Sequence, residues 1–305
     1  MSRSGKRAFP MLSISIVLAM ILGIVTGGYP CYTNEISTIS LFLAMTISLA
    51  SISFKGIITR DSLKMVLYSI ILNYGVLSGL ILLISLPFED GLKYGFAMMA
   101  AVPPAIVVMP LTDILKGKTE YALLSISSIY LLSILLTPLI IYLLLGKKVN
   151  SIDLIFTTLI LIALPLLLSR IVRRLKISRR ISEVMINACF FLLIFGIIGK
   201  NRSFLLYNLK EILLIALLTI LRTFGPGLGV IRIGKAVKIS MDRIIPLSLF
   251  SSFKNDGLAI ILCLSLFPER IAYLATIPCI LAVMIEMSWV VYLEVTSKRA
   301  RWHHE

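Results

Sequence analysis

Ten apolar segments follow one another along almost the whole chain, separated by short connections. Each is close to the roughly 20 residues that an α-helix needs to cross the hydrocarbon core of a bilayer. With 58% hydrophobic residues and a mean hydropathy of +0.99, the chain is too apolar for a soluble globular protein. The sequence predicts an all-α polytopic membrane protein with helices at 9–27, 36–54, 65–87, 92–115, 121–145, 152–170, 182–199, 209–231, 243–267 and 271–295.

Lysine and arginine residues are distributed unevenly between the connections. The connections and termini on one side of the predicted helices carry 21 of the 30 basic residues, those on the other side carry 7, and Arg222 and Lys254 lie inside apolar segments. Because cytoplasmic loops carry the excess of basic residues, we predict a multi-pass protein of the cell membrane with both termini in the cytoplasm. The same distribution accounts for the net charge of +15 without a nucleic-acid partner.

The fourth and ninth apolar segments are each interrupted near their centre. Pro103 and Pro104 break the fourth, because proline lacks an amide hydrogen and clashes with the preceding turn. Asn255, Asp256 and Gly257 break the ninth, since these residues tolerate non-helical backbone. Five helices per half is an odd number, so the second half enters the membrane from the opposite side. The pattern is typical of transporters built from inverted repeats. The predicted five-helix repeats are residues 1–150 and 151–305, with broken, crossing helices 4 and 9.

Four ionisable residues fall near the centres of predicted helices: Arg222, Lys254, Asp256 and Glu286. Each costs about 2.5–3.5 kcal/mol at the bilayer centre, so such residues usually face an interior or a cavity. Mutual neutralisation predicts Arg222 against Glu286 and Lys254 near Asp256. The group is either part of a functional site or a static salt-bridge cluster that only stabilises packing. Asn73 in the third segment either bonds to a neighbouring helix or belongs to the site.

The segment from Gly95 to Pro138 resembles helices 4 and 5 of the bile acid:sodium symporter family. The matching residues there are Pro103, Lys116-Gly117 and Leu136-Thr137-Pro138. Residues 250–268 are similar to the family's helix 9, with matches at Asn255, Gly257, Leu258 and Ala259. The stretch from Ser51 to Lys55 is similar to the end of its helix 2.

This resemblance implies a core domain of helices 3–5 and 8–10 and a panel domain of helices 1, 2, 6 and 7. The two broken helices would cross in the core. An organic anion, such as a bile acid or a smaller carboxylate, would bind between the domains and be moved by alternating access. Asn255 stands where the family has a substrate-contacting asparagine.

The chain departs from the family at the positions that hold sodium. The corresponding positions carry Val108, Met109, Ala122, Ile126, Phe250, Lys254 and Asn73. Hard cations need oxygen ligands, which aliphatic and thioether side chains cannot supply. We therefore expect transport without sodium. Lys254 either acts as a tethered cation, or Lys254, Asp256 or Glu286 titrates and couples transport to protons.

Three other functions remain as alternatives. One is an ordinary sodium-coupled symporter that uses backbone carbonyls as ligands, and another is a receptor or scaffold that transports nothing. An intramembrane transferase would need clustered aspartates to hold magnesium, and Asp256 has no acidic neighbour in its segment. We expect a non-enzyme without cofactor or metal, whose partners are a small organic anion, protons or sodium, and the bilayer.

Overall fold

The computed structural model describes residues 5–50 and 59–301, and all regular structure in those ranges is helical. Helices α1 to α7 are Gly5–Thr26, Thr33–Ala50, Arg60–Ile70, Ser78–Ile84, Leu92–Ala101, Val108–Ile114 and Thr119–Leu145. Helices α8 to α14 are Ser151–Thr158, Leu164–Arg174, Arg179–Tyr207, Leu209–Ala236, Met241–Phe250, Asp256–Leu266 and Glu269–Arg301. Short π-helical segments, Ile71–Leu77 and Leu159–Ala163, join α3 to α4 and α8 to α9. The family-like stretch from Ser51 to Lys55 lies outside the described residues.

Seven helical stretches in the described ranges are long and apolar enough to cross a membrane. They are Thr33–Ala50, Arg60–Ile84, Thr119–Leu145, Ser151–Arg174, Arg179–Tyr207, Leu209–Ala236 and Glu269–Thr296. Large apolar side chains such as Leu135 and Leu143, each 71% exposed, cover their outer surfaces. The chain is therefore a multi-pass membrane protein. Seven is fewer than the ten predicted, in part because the segments at 92–115 and 243–267 are divided into half-helices of 7 to 11 residues.

Both predicted breaks are present. Helix α5 ends at Ala101 because Val102, which precedes Pro103, adopts an extended conformation with ψ of 154°. In the second break Asn255 caps α13, where its side chain accepts a hydrogen bond from the backbone N–H of Leu258. The breaks touch each other, since the backbone N–H of Asn255 donates to the Pro103 carbonyl at 2.8 Å.

The helices around the two breaks form the most buried part of the protein. Helix α13 packs on α14, α5 and α2, and α5 packs on α4, α7 and α14. Every side chain from Asp256 to Leu264 is buried, as is every residue from Tyr94 to Ala101. Helices α1, α2, α9 and α10 pack on one another, and α2 and α10 also contact α13 and α14. The interruptions in the fourth and ninth segments thus lie where a polar group has no access to lipid.

Helix α5 packs closely on α14 at Gly95, where no side chain fits between them. A Cβ atom on Gly95 would lie 2.0 Å from the Ala275 carbonyl oxygen, which is backbone and cannot rotate away. We expect Gly95→Ala to lower the free energy of unfolding by about 1–3 kcal/mol, as overpacking of a dense core does. Thermal unfolding of purified protein in detergent measures the loss. Gly79→Ala is the matched control, because Gly79 lies in α4 with no atom near its Cβ position. It should be neutral or slightly stabilising, and equal effects of the two variants would contradict the close packing.

Candidate functional site

The carbonyl oxygens of residues 100 to 104, at the first break, are all bonded to other parts of the protein. The oxygens of five consecutive residues, 100 to 104, would be orphaned where the helix stops, and buried carbonyls without partners are costly. The Ala100 oxygen accepts from Ser78 Oγ and Lys254 Nζ, and the Ala101 oxygen accepts from Thr137 Oγ1. The Val102 oxygen accepts from Lys254 Nζ, the Pro103 oxygen from the backbone N–H of Asn255, and the Pro104 oxygen from Tyr130 Oη. The broken backbone is therefore satisfied by the chain itself.

The Lys254 ammonium lies in a cage of neutral oxygen atoms. Its Nζ is 3.0 Å from Asn73 Oδ1, 2.9 Å from Ser78 Oγ, 3.1 Å from the Ala100 carbonyl and 2.9 Å from the Val102 carbonyl. The ring of Tyr74 closes the cage, with its centroid 4.6 Å from Nζ. Lys254 is 1% exposed. An ammonium has three hydrogens for these four oxygens, so no donor is left for another ligand.

Asn73 connects this ammonium cage to the second break. Its oxygen accepts from Lys254, and its Nδ2 donates to the carbonyls of Phe250 and Phe253 at 2.9 and 3.0 Å. The side chain lies in the π-helical segment, where Ser78 Oγ also bonds the Asn73 carbonyl at 3.1 Å. Of its two predicted roles, the hydrogen bond to a neighbouring helix is therefore present, and it reaches the broken helix itself.

Arg222 forms ion pairs with both buried acids. Its Nη1 is 2.8 Å from Glu286 Oε1, and its Nη2 is 3.3 Å from Asp256 Oδ2. Nη1 also donates to the Ser252 carbonyl, and Glu286 Oε1 accepts from the Lys254 backbone N–H. The predicted Arg222–Glu286 pair is present. The predicted pairing of Lys254 with Asp256 is wrong, because the forked guanidinium reaches both carboxylates while the ammonium is held by neutral oxygens.

The Asn255 side chain serves the fold. Its Nδ2 donates to Tyr130 Oη at 2.9 Å, and its Oδ1 accepts from the Leu258 backbone N–H at 3.1 Å. Both polar atoms of the residue expected to contact substrate thus already have a partner. Ser78, Tyr130 and Thr137 bond the broken backbone. Thr137 was named from the sequence only as part of the family-like Leu136-Thr137-Pro138. Ser78 and Tyr130 were not named, since a single hydroxyl group in an apolar segment was their only signal.

A cavity of about 730 Å³ lies against the two breaks. Residues 105–107 and 254–257 line it together with side chains of α2, α10 and α14. Lys254, Asp256 and Glu286 are in the wall, whereas Pro103, Pro104 and Arg222 are behind it. Arg173, Lys176 and Arg179 line the open end of the cavity. These three residues belong to the connection predicted to be cytoplasmic.

Two hydrogen bonds join α2 and α10 to α14 away from the cavity. Tyr273 Oη on α14 donates to Asn34 Oδ1 on α2 at 3.0 Å, and Asn201 Nδ2 on α10 donates to Thr276 Oγ1 on α14 at 3.1 Å. These residues lie about two or more turns further along α2, α10 and α14 than the side chains that line the cavity. Among the described residues, the lining of the cavity thus reaches the helix ends that carry the basic residues and stops short of these two contacts.

One family model matches the chain over most of its length. It is the model of the sodium bile acid symporter family, and the match runs over residues 36–215. The matched region contains the first break and the Thr137 that bonds it, while the second break lies beyond the match. No curated protein sequence matches the chain. The resemblance read from residues 95–138 is confirmed: the chain belongs to the sodium bile acid symporter family.

Proposed function

We propose that the chain is a secondary transporter that moves an organic anion across the cell membrane by alternating access, without sodium. The observation that carries the proposal is the ammonium of Lys254, which fills an oxygen cage at the contact between two broken helices. A mobile cation would need those same oxygen atoms as ligands. The alternative of sodium held by backbone carbonyls is disfavoured, because the carbonyls from 100 to 104 already accept hydrogen bonds.

The positions implied for sodium ligands support the same conclusion. Val108, Ala122, Ile126 and Phe250 are apolar and fully buried. A sodium ion placed among them would lose its hydration without gaining oxygen ligands, which is costly in a low-dielectric interior. Family membership supports the transporter class, and these apolar residues support transport that is not driven by sodium.

The proposed architecture is ten membrane-spanning segments in two inverted repeats, residues 1–150 and 151–305, with both termini cytoplasmic. The core contains the segments from α3 to α7 and from α11 to α14, and the panel contains α1, α2 and α8 to α10. Residues of α2, α10 and both breaks line the cavity, as expected for substrate between core and panel. Its basic end would face the cytoplasm, and the structure would then represent the inward-facing state of the proposed cycle. Rocking of one domain against the other would break the Asn34–Tyr273 contact and open the outer end.

Uptake into liposomes tests the proposal. Purified protein would be reconstituted and offered labelled bile acids and small carboxylates, with sodium, choline or a pH gradient across the membrane. We expect uptake of at least one anion at equal rates in sodium and in choline. Uptake that requires sodium would contradict the proposed mechanism. Absence of uptake for the whole panel, together with thermal stabilisation by one of its anions, would favour the receptor alternative.

A further inference from the structure

One carboxylate oxygen in the cavity wall has no partner. Asp256 Oδ2 accepts from Arg222 Nη2, but Oδ1 has no hydrogen-bond donor among the described residues. Asp256 is 2% exposed and is one of the residues that line the cavity. A buried ionised oxygen without a donor is costly. This oxygen therefore needs either a proton or a ligand.

The same residue begins a helix whose N-terminus is incompletely capped. Asn255 Oδ1 bonds the N–H of Leu258, but the backbone N–H groups of Asp256 and Gly257 have no acceptor within the described part of the chain. Both residues line the cavity. Unpaired N–H groups and the helix dipole attract an anionic group to this position. An ionised Asp256 opposes that attraction, because its own negative charge lies beside the place where the anion would bind.

The buried charges around Asp256 balance when all are ionised. The titratable groups nearest to it are Arg222 on α11, Lys254 in the second break, Glu286 and Cys279 on α14, and Cys263 on α13. Two cations and two carboxylates give a net charge of zero, with neutral thiols. A monovalent anion would leave this buried group with one uncompensated negative charge, which is unfavourable at membrane depth. One added proton restores neutrality.

Neither buried cation has a suitable group to offer an incoming anion. The Lys254 ammonium is used by its four oxygen partners. Both terminal nitrogens of Arg222 are bonded to Glu286, Asp256 and the Ser252 carbonyl. Its Nε has no partner among the described residues, but Arg222 does not line the cavity. Glu286 Oε1 already accepts two hydrogen bonds, from Arg222 and from the Lys254 backbone. Of the carboxylate oxygens of these two acids, Asp256 Oδ1 is the one that is buried without a partner among the described residues, and a proton there would turn it from an acceptor into a donor.

We propose that Asp256 binds one proton together with each monovalent anion, and that its Oδ1–H and the N–H groups at the start of α13 hold the anionic group of the substrate. The inference rests on the proposed transport function and names its coupling site. The proton comes from water when the anion binds and returns to water when the anion is released. No covalent bond to the substrate forms or breaks. The transported unit is one anion plus one proton, so the cycle moves no net charge.

Proteoliposomes give a quantitative test. With a monovalent anion from the panel that wild-type protein transports, a pH difference of one unit should drive about tenfold accumulation at equilibrium, since one proton moves with each anion. A potassium-diffusion potential set with valinomycin should leave that ratio unchanged. Accumulation that responds to the potential, or uptake that ignores the pH difference, would overturn the inference while leaving anion transport standing. Absence of any uptake would overturn the proposed function, and the inference with it.

Asp256→Asn separates anion binding from proton coupling. The amide has nearly the shape of a protonated carboxyl but cannot bind or release a proton, so any transport that remains should be independent of the pH difference. Accumulation driven by the pH difference should disappear. Asp153→Asn is the matched control, because Asp153 is exposed near the start of α8 and does not line the cavity. It should keep the tenfold ratio. Retention of that ratio in Asp256→Asn would overturn the assignment.

Infrared difference spectroscopy tests the assignment even if Asp256→Asn does not fold. Adding the transported anion to wild-type protein should produce a protonated-carboxyl C=O band that shifts in heavy water. In Glu286→Gln, if that variant folds, the band should remain. Absence of the band in wild-type protein, when calorimetry shows that the anion binds, would overturn the inference.

Discussion

Lys254→Met should make the stability of the protein depend on small monovalent cations. Methionine keeps the apolar stem and removes the terminal ammonium, so four oxygen atoms at the contact of the two breaks lose their donor. The acids Asp256 and Glu286 would then face Arg222 alone. Removing one member of a buried charged group costs about 3–5 kcal/mol. The loss would appear as a lower thermal unfolding temperature in detergent with choline as the only salt cation.

Ammonium ions should restore much of that stability in the variant. They can donate to the same oxygens, and occupancy at a hundred times the dissociation constant contributes about 2.7 kcal/mol. Potassium and sodium would be compared at constant ionic strength. Wild-type protein should show no preference among these cations, because its cage is already filled. Lys148→Met is the matched control, since it removes an ammonium that is bound to Asp90 at an exposed site. A Lys254→Met variant that is equally stable in every salt would contradict the cage.

Arg222→Met should be the most damaging single substitution in the cluster. It leaves Asp256 and Glu286 together in a buried site without their shared partner, at a cost of about 3–5 kcal/mol or more. Arg222→Lys should rescue little, because an ammonium cannot donate along the two directions of the guanidinium fork. Yield of folded protein and thermal unfolding would measure both effects. Arg243→Met removes a half-exposed arginine that binds Asp61, and should cost far less.

A double-mutant cycle separates the charge from the packing of Arg222. If the charge dominates, Glu286→Gln should be less damaging in the Arg222→Met background than in wild-type protein. The reason is that each substitution alone leaves an unbalanced charge, whereas the pair removes one charge of each sign. Strict additivity of the two losses would show that the residues act independently, against the 2.8 Å contact between them.

The breaks could be predicted from the sequence because their causes are local. Proline has no amide hydrogen wherever it stands, and Asn255 caps a helix through its own neighbours. Long, uniformly apolar segments were equally predictable: the helix expected at 121–145 is Thr119–Leu145. The four buried charges stood out because ionisable groups are rare at membrane depth.

Partners across the core could not be predicted in the same way. Lys254 bonds Asn73 and Val102, which lie more than 150 residues away in the chain, and nothing local indicates which acceptor is nearest. The π-helical segment that carries Asn73 also lacks a signal in its apolar sequence. Matching charges by sign alone therefore paired Lys254 with Asp256, although in the structure Arg222 binds both Asp256 and Glu286. The predicted helix at 182–199 is longer in the structure and ends at Tyr207, because Lys200, Asn201 and Arg202 continue the helix past its apolar part.

The filled ammonium cage has a consequence for how the protein meets its surroundings. A dissolved ion occupies its site according to its concentration, and the site empties when the medium is diluted. The Lys254 ammonium is joined covalently to the backbone through a stem of four carbon atoms, so its local concentration is set by the backbone and not by the medium. The contact between the two broken helices would then keep its cation in fresh water and in brine alike.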